Sequence, residues 1–219
     1  MNDGTIETIK ISGALVESSY TSQDIIVKTD IVSVYIGNIV TDISDNAFQG
    51  ASALTSIEIP DSVTSIGDYA FSVASALTSI EIPDSVTSIG EYAFSSSGLT
   101  SIIIPKGVES IEKATFYQAI SLTEITFADN SLLNSIGSNA FYNTSALTEI
   151  DIPEGVTSIG SYAFKKALAL TSIIIPEGVT SIGAGAFDTC TALTSINIPE
   201  GVTSIGTWTF GNANKLPSI

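Results

Sequence analysis

The 219-residue chain contains no histidine and no arginine, and it has a single cysteine, Cys190. Without histidine there is no imidazole base, which excludes the Ser-His and Cys-His pairs of many nucleophilic enzymes. A paired-carboxylate hydrolase is formally possible with 23 acidic residues. These acids recur with a regular spacing, however, as solvated surface positions do. We therefore expect no catalytic residues and no enzymatic activity.

Basic residues are also scarce, since seven lysines face 23 acids and the formal net charge is −16. Nucleic-acid binding needs a basic face that neutralises phosphates, so no nucleic-acid partner is expected. No run of 18 apolar residues occurs, which predicts no membrane insertion. One cysteine cannot form an intrachain disulfide. Residues 1–20 lack the pattern of a signal peptide, so we expect either an intracellular protein or a leader already removed.

What the chain does have is one sequence unit that recurs eight times, here called coils 1–8. Consecutive units start 23 residues apart, with one spacing of 22 and one of 25. A fixed period of this length predicts a solenoid, in which each unit buries its apolar side chains against its neighbours. The leading residues of coils 1–8 are Ile31, Leu54, Leu77, Leu99, Leu122, Leu147, Leu170 and Leu193.

Each unit follows the pattern L-x-x-I-x-I-P-x-x-V-x-x-I-G-x-x-A-F. The alternation of Ile57, Glu58 and Ile59 predicts a strand, which Pro60 ends because proline cannot donate to a ladder. A second extended piece follows and ends at Gly67. The segment before the phenylalanine is too short for a full helix and is predicted as a helical or 3₁₀ turn. Stacked coils then give one parallel sheet on the order of 40 Å long.

This pattern resembles the BspA-type leucine-rich repeat, and the resemblance covers about residues 31–219. That family carries a cysteine three residues beyond the phenylalanine, and only Cys190 keeps it here. Because small residues occupy the equivalent positions, we expect Cys190 to be a buried packing residue. The resemblance implies a right-handed leucine-rich-repeat solenoid of strand and turn, a role in surface adhesion or protein binding, and an extracellular or cell-surface location.

The two ends of the chain differ from the repeats. Residues 1–30 include an L-x-x-I-x-I match at Ile6–Ile11 and are predicted to be an N-terminal cap with its own strand, before the solenoid at 31–219. The sequence then stops at the start of a ninth strand. Either the array is longer, or this open end docks head-to-tail on the N-terminal edge of another subunit. The residues predicted for that assembly are Ile6, Ile9, Ile11, Leu216 and Ile219.

The outward side of the first strand is the main candidate binding surface, because it varies while the core positions stay nearly fixed. Ile103 and Ile174 stand among polar neighbours on this side, where they could anchor a protein ligand. The alternative is drift on a surface that binds nothing. The predicted partner-binding residues are Tyr35, Thr55, Glu58, Thr78, Glu81, Ile103, Glu124, Glu149, Asp151, Ile174 and Asn197.

Two further patterns suggest more distant functions. Acidic residues follow the proline in five coils and could bind Ca²⁺, although a hydrated turn explains them as well. Rows of threonine resemble ice-binding faces, although threonine also favours strands, and stacked hydroxyls are expected to bond to one another and to water. We expect no cofactor and no metal ion. The acidic row is Asp61, Asp84, Glu154, Glu177 and Glu200, and Thr55, Thr78 and Thr100 begin one threonine row.

Overall fold

The computed structural model describes residues 9–11, 29 and 31–217, which form a solenoid of eight coils with parallel strands and almost no helix. Each coil contributes a first strand or extended segment, a second strand of two residues and a series of turns. The strands are β1 Ile9–Ile11, β2 Ser33–Ile36, β3 Asp42–Ile43, β4 Ser56–Glu58, β5 Ser65–Ile66, β6 Ser88–Ile89, β7 Ser101–Ile104, β8 Ser110–Ile111, β9 Glu124–Phe127, β10 Ser135–Ile136, β11 Ser158–Ile159, β12 Ser172–Ile174, β13 Ser181–Ile182, β14 Ser195–Asn197 and β15 Ser204–Ile205.

One apolar core runs through all the coils, as the repeat predicts. The leading residues Leu77, Leu99 and Leu170 are completely buried. The phenylalanines form a column from Phe48 to Phe210 in which neighbouring ring centroids lie 5.1 to 5.8 Å apart and the rings are within 13° of parallel. Equivalent side chains therefore pack on one another from coil to coil.

The first strands pair in register but do not form the single uninterrupted sheet that the repeat predicts. They form three groups, β1-β2-β4, β7-β9 and β12-β14. Residues 79–82 of coil 3 and residues 149–152 of coil 6 are not assigned to strands, and one bridge, Asp151 to Ile174, joins coil 6 to coil 7. The predicted sheet is thus interrupted between coils 2 and 3, between coils 3 and 4 and between coils 5 and 6.

The second strands form a separate ladder that is interrupted once, between β6 and β8. Neighbouring coils come very close after this strand: a Cβ added to Gly160 would lie 2.5 Å from the carbonyl carbon of Gly137. Coil 4 has Glu112 in place of this glycine. A glutamate side chain cannot fit where the backbone of the neighbouring coil lies so close. A groove of about 780 Å³, lined by Gly90 and Glu112 among others, lies at this junction.

The segment around each phenylalanine is a series of β-turns, which corrects the predicted helical or 3₁₀ turn. In coil 1 the N–H groups of Ala47 and Gln49 bond within the turn, whereas those of Asn46 and Phe48 donate to carbonyls of coil 2. A helix is prevented because two residues per coil, such as Asn46 with φ 58° and Gly50 with φ 74°, have left-handed backbone conformations. These alternating bonds tie each turn to the next coil.

The left-handed positions give a first prediction. Val73 has φ 62°, an unfavourable value for a β-branched residue, and its side chain is 47% exposed. Val73→Asn should raise the free energy of unfolding by about 1 kcal/mol, because asparagine tolerates this conformation and little packing is lost. Urea denaturation measures the change. The matched control is Ile120→Asn, at an exposed apolar residue outside the positive-φ positions; an equal gain there would contradict the backbone explanation.

Candidate functional site

The predicted partner-binding residues come together on one surface, here called the strand face. The strand face consists of the outward side chains of the first strands and of segments 79–82 and 149–152. All eleven are exposed. Glu81, Glu149 and Asp151 lie in the two segments without strand assignment, and Thr55 and Thr78 come just before Ser56 and Ser79. Their role in binding a partner stays a prediction. The other six, Tyr35, Glu58, Ile103, Glu124, Ile174 and Asn197, lie within strands.

The register aligns the outward residues into rows that run across the coils. Tyr35 pairs with Glu58, Ile103 with Thr126, and Ile174 bridges to Asp151 on one side and pairs with Asn197 on the other. Ile103 is 62% exposed and Ile174 is 69% exposed. The row therefore presents two protruding isoleucines separated by the polar positions of coils 5 and 6.

Like charges stand opposite each other at two of the three junctions where first-strand pairing is missing, those between coils 2 and 3 and between coils 5 and 6. Glu58 and Glu81 occupy equivalent positions in coils 2 and 3, and Glu124 and Glu149 do so in coils 5 and 6. No backbone hydrogen bond joins these strand segments in the described chain. Directly opposed like charges destabilise strand pairs. The acidic pairs therefore weaken the ladder at these two junctions, whereas the third gap, between coils 3 and 4, places Glu81 opposite Ile103 and has no such pair.

A groove of about 620 Å³ lies at the opening between coils 5 and 6. Its walls are residues 124–131 and 149–155. Ile125 and Ile150, which are buried in the core, form its floor. The regular repeat pattern does not reveal this groove; its sequence signals are the opposed Glu124 and Glu149 and the longer spacing of coil 5, whose residues 128–131 line it.

The threonine rows differ from expectation in how their hydroxyls bond. Most of the hydroxyls donate to a backbone carbonyl of the preceding coil, as Thr123 Oγ1 does to Thr100 O at 2.9 Å and Thr64 Oγ1 does to Thr41 O at 3.1 Å. The threonine hydroxyls do not bond to one another, because the backbone carbonyls of the preceding coil lie closer to them than the neighbouring hydroxyls do. The ice-binding alternative stays a prediction that no observation favours.

The other predicted sites are placed as follows. The acids that follow the prolines are exposed, and within residues 9–11, 29 and 31–217 no three acidic or cysteine side chains converge on a possible metal position. Ile9 and Ile11 lie in β1, which pairs with β2, and Leu216 packs half-buried against the core. Ile6 and Ile219 lie outside the described residues. No helix in the described part is long and apolar enough to cross a membrane.

Cys190 is buried, as predicted, and its thiol donates to the carbonyl of Phe164 at 3.1 Å. Burial raises the pKa of this thiol to about 12. The thiolate is therefore absent at neutral pH, so the residue packs rather than reacts.

A polar cluster that the repeat pattern did not indicate surrounds Asp188. Lys165 Nζ lies 2.8 Å from its carboxylate, and Thr189 and Asn212 each donate to it at 3.0 Å. Desolvation raises the pKa of Asp188, but the hydrogen bonds from Lys165, Asn212 and Thr189 outweigh it and hold the pKa below its usual value. The cluster links coils 6, 7 and 8 and has a structural role.

The acidic pairs give a second prediction. Glu149→Gln should raise the free energy of unfolding by about 0.5 kcal/mol at low ionic strength, because it removes the repulsion from Glu124. The gain should shrink in about 1 M salt, which screens exposed charges. Urea denaturation at both salt concentrations measures it. Glu109→Gln is the control, since Thr87 and Asn134 flank Glu109 at the equivalent positions; the same salt-dependent gain there would contradict the pairwise explanation.

Comparison with solved structures identifies proteins with this architecture. A leucine-rich repeat protein from T. pallidum is 28% identical with a TM-score of 0.61, over 85% of this chain and 78% of that one. A leucine-rich repeat protein from Eubacterium ventriosum is 27% identical with a TM-score of 0.57, over 95% of this chain and 65% of that one. A leucine rich cell surface protein from Faecalibacterium prausnitzii is 27% identical with a TM-score of 0.55, over 99% of this chain and 76% of that one.

No curated protein matches the chain at a significant level. The family model for the BspA type leucine rich repeat region, in contrast, matches residues 22–134 and 116–219 with six copies. Together these matches span residues 22–219, which includes the whole solenoid, and they agree with its repeated strand, turn and phenylalanine column. The chain belongs to the BspA-type leucine-rich repeat family.

Proposed function

We propose that this protein is a non-enzymatic interaction module that binds a protein ligand through the strand face, in a role of adhesion at a cell surface. The observation that carries the proposal is the exposure of Ile103 and Ile174, at 62% and 69%, on a face whose other outward positions are largely polar. Their chain neighbours Ile102, Ile104, Ile173 and Ile175 are buried, so the outward isoleucines are not needed by the core. Exposed apolar side chains with polar surroundings are typical of binding anchors.

The family supports the same function. Leucine-rich repeats are in general modules for protein interaction or adhesion, and a related structure is that of a leucine rich cell surface protein. The extended, rigid array also suits the task, because it offers several coils' width of side chains on one surface.

A third prediction tests the strand face. The double variant Ile103→Lys/Ile174→Lys should weaken binding to a protein ligand at least about tenfold, because each substitution removes an apolar anchor and introduces a charge. Surface plasmon resonance of the purified chain over a panel of immobilised extracellular proteins measures the affinities.

The control is the double variant Ile39→Lys/Ile120→Lys, which alters two isoleucines that are exposed outside the strand face. This control variant should change the affinity for the protein ligand by less than about twofold relative to the unaltered chain. Equal losses for both double variants, or binding to no member of the panel, would contradict the proposal.

A second candidate function is head-to-tail assembly, and the exposed end of the core favours it. Ile205 in β15 is 48% exposed, whereas the equivalent Ile159 and Ile182 are 2% and 1% exposed. β15 pairs with β13 alone in the described chain. A second copy that stacked its N-terminal end on this end, with its β1 edge continuing the first-strand ladder, would bury this surface and repeat the contact along a filament.

A fourth prediction follows from this candidate. Multi-angle light scattering across a concentration series should show a mass that rises with concentration, and negative-stain images should show rods longer than one solenoid. Ile205→Lys should abolish the increase, because it places a charge in the contact. A mass that stays monomeric at millimolar concentration would rule out the assembly.

A further inference from the structure

We infer that the contact between coils 3 and 4 is a hinge at which the solenoid bends, and that the Cβ of Glu112 creates it. The hinge joins two bodies, here called the N-terminal body (coils 1–3, residues 31–98) and the C-terminal body (coils 4–8, residues 99–217). Three features of this contact support the hinge: the loss of both strand ladders, the position of Glu112 and an intact turn side.

Both ladders are interrupted between coils 3 and 4, and this holds for no other contact among the described coils. The first strands of these two coils do not pair, and the second ladder stops between β6 and β8. First-strand pairing is also missing between coils 2 and 3 and between coils 5 and 6. There, however, the second strands hold the coils together through the pairs β5–β6 and β10–β11.

A backbone bond that follows the second strand at the other contacts is also lost at this one. Gly90 N donates to Ile66 O between coils 2 and 3, and Gly183 N donates to Ile159 O between coils 6 and 7, both at 2.8 Å. The equivalent donor of coil 4 is the N–H of Glu112, and it makes no backbone bond in the described chain. The second-strand side can therefore open and close without breaking a backbone bond.

The Cβ of Glu112 explains the missing bond. Coils 2, 3 and 5–8 have glycine at this position. A Cβ added to Gly137 would lie 2.7 Å from the carbonyl carbon of the preceding coil, and one added to Gly183 would lie 2.5 Å from it. Non-bonded carbon atoms do not approach so closely. Glu112 therefore holds coil 4 away from coil 3 on this side, where the groove of about 780 Å³ lies.

The turn side of the same contact is intact and provides the pivot. The N–H of Phe94 donates to Thr115 O at 2.9 Å, and that of Ser96 donates to Tyr117 O at 2.8 Å. The rings of Phe94 and Phe116 stack at 5.6 Å and within 9° of parallel. One side that is bonded and one side that is not are the arrangement of a hinge, because the joined side keeps the core continuous while the other side moves.

The hinge divides the strand face, and this consequence rests on the proposed function. Tyr35 and Glu58 lie in the N-terminal body, whereas Ile103 and Ile174 both lie in the C-terminal body. The second ladder of the C-terminal body is continuous from β8 to β15. Bending therefore turns the first pair of residues relative to the second and leaves the spacing of the two isoleucines unchanged. A partner that contacts both bodies meets a surface whose curvature can adapt to it.

Spin labels on the second-strand side measure the bend. The hinge pair, Thr64→Cys/Thr157→Cys, joins coils 2 and 6, and the control pair, Glu109→Cys/Thr203→Cys, joins coils 4 and 8. All four residues are exposed, and Cys190 is buried and takes no label. Both pairs span on the order of 19 Å at the strand spacing. Double electron–electron resonance should give a distance distribution at least about 1.5 times as wide for the hinge pair.

Two substitutions at one position test the cause. Glu112→Gly should narrow the distribution of the hinge pair to that of the control pair, because without the Cβ the second strands of coils 3 and 4 can pair. Glu112→Ala is the matched control. It removes the charge and most of the side chain but keeps the Cβ, so the hinge pair should stay as wide as in the labelled chain with Glu112. Circular dichroism confirms that both variants are folded.

Equal widths for the hinge pair and the control pair would overturn the inference. A width that Glu112→Gly does not reduce, or that Glu112→Ala reduces equally, would contradict the role of the Cβ and overturn it as well. The distances are measured on the free chain, so they do not depend on a ligand. Failure of the isoleucine test would remove the proposed function and leave the hinge, whereas equal widths would remove the hinge and leave the strand face as a binding surface.

Discussion

The structure depends on contact between identical positions of neighbouring coils. The phenylalanine rings stack at 5.1 to 5.8 Å along the whole array, and the leucines and isoleucines around them are buried against their own equivalents. No coil contains enough apolar surface to fold alone, so stability comes from interfaces between nearest neighbours. Every other feature of the molecule has to be compatible with this register.

The same register has a cost when the repeated residue is charged. Glutamates at equivalent positions face each other at the strand spacing, and the ladder opens at Glu58–Glu81 and at Glu124–Glu149. The core and the turns keep the coils together at these junctions. The result is a solenoid whose strand face alternates between paired strands, which carry Ile103 and Ile174, and unpaired segments that carry opposed glutamates.

The sequence predicts the repeat boundaries, the strands, the buried columns and the packing role of Cys190, because these follow from which residues recur at a fixed spacing. It does not predict the openings of the sheet, which depend on the balance between repulsion and pairing at single junctions. The prediction of a helical turn is wrong because tyrosine, as at Tyr69 and Tyr92, does not indicate the left-handed conformation of this position. Asn46, Asn139 and Gly185 at the same position were the signal that could have shown it.

The matching of equivalent positions also bears on how such an array changes its length. A duplicated coil meets the coils on both sides through the contacts that they already make, so the lengthened chain needs no new interface. Coils 2 and 3, whose segments Leu54–Phe71 and Leu77–Phe94 are almost identical, have the form that a recent duplication leaves. Selection can then alter single outward residues of the new copy, so that the exposed surface diversifies one layer at a time while the fold is inherited intact.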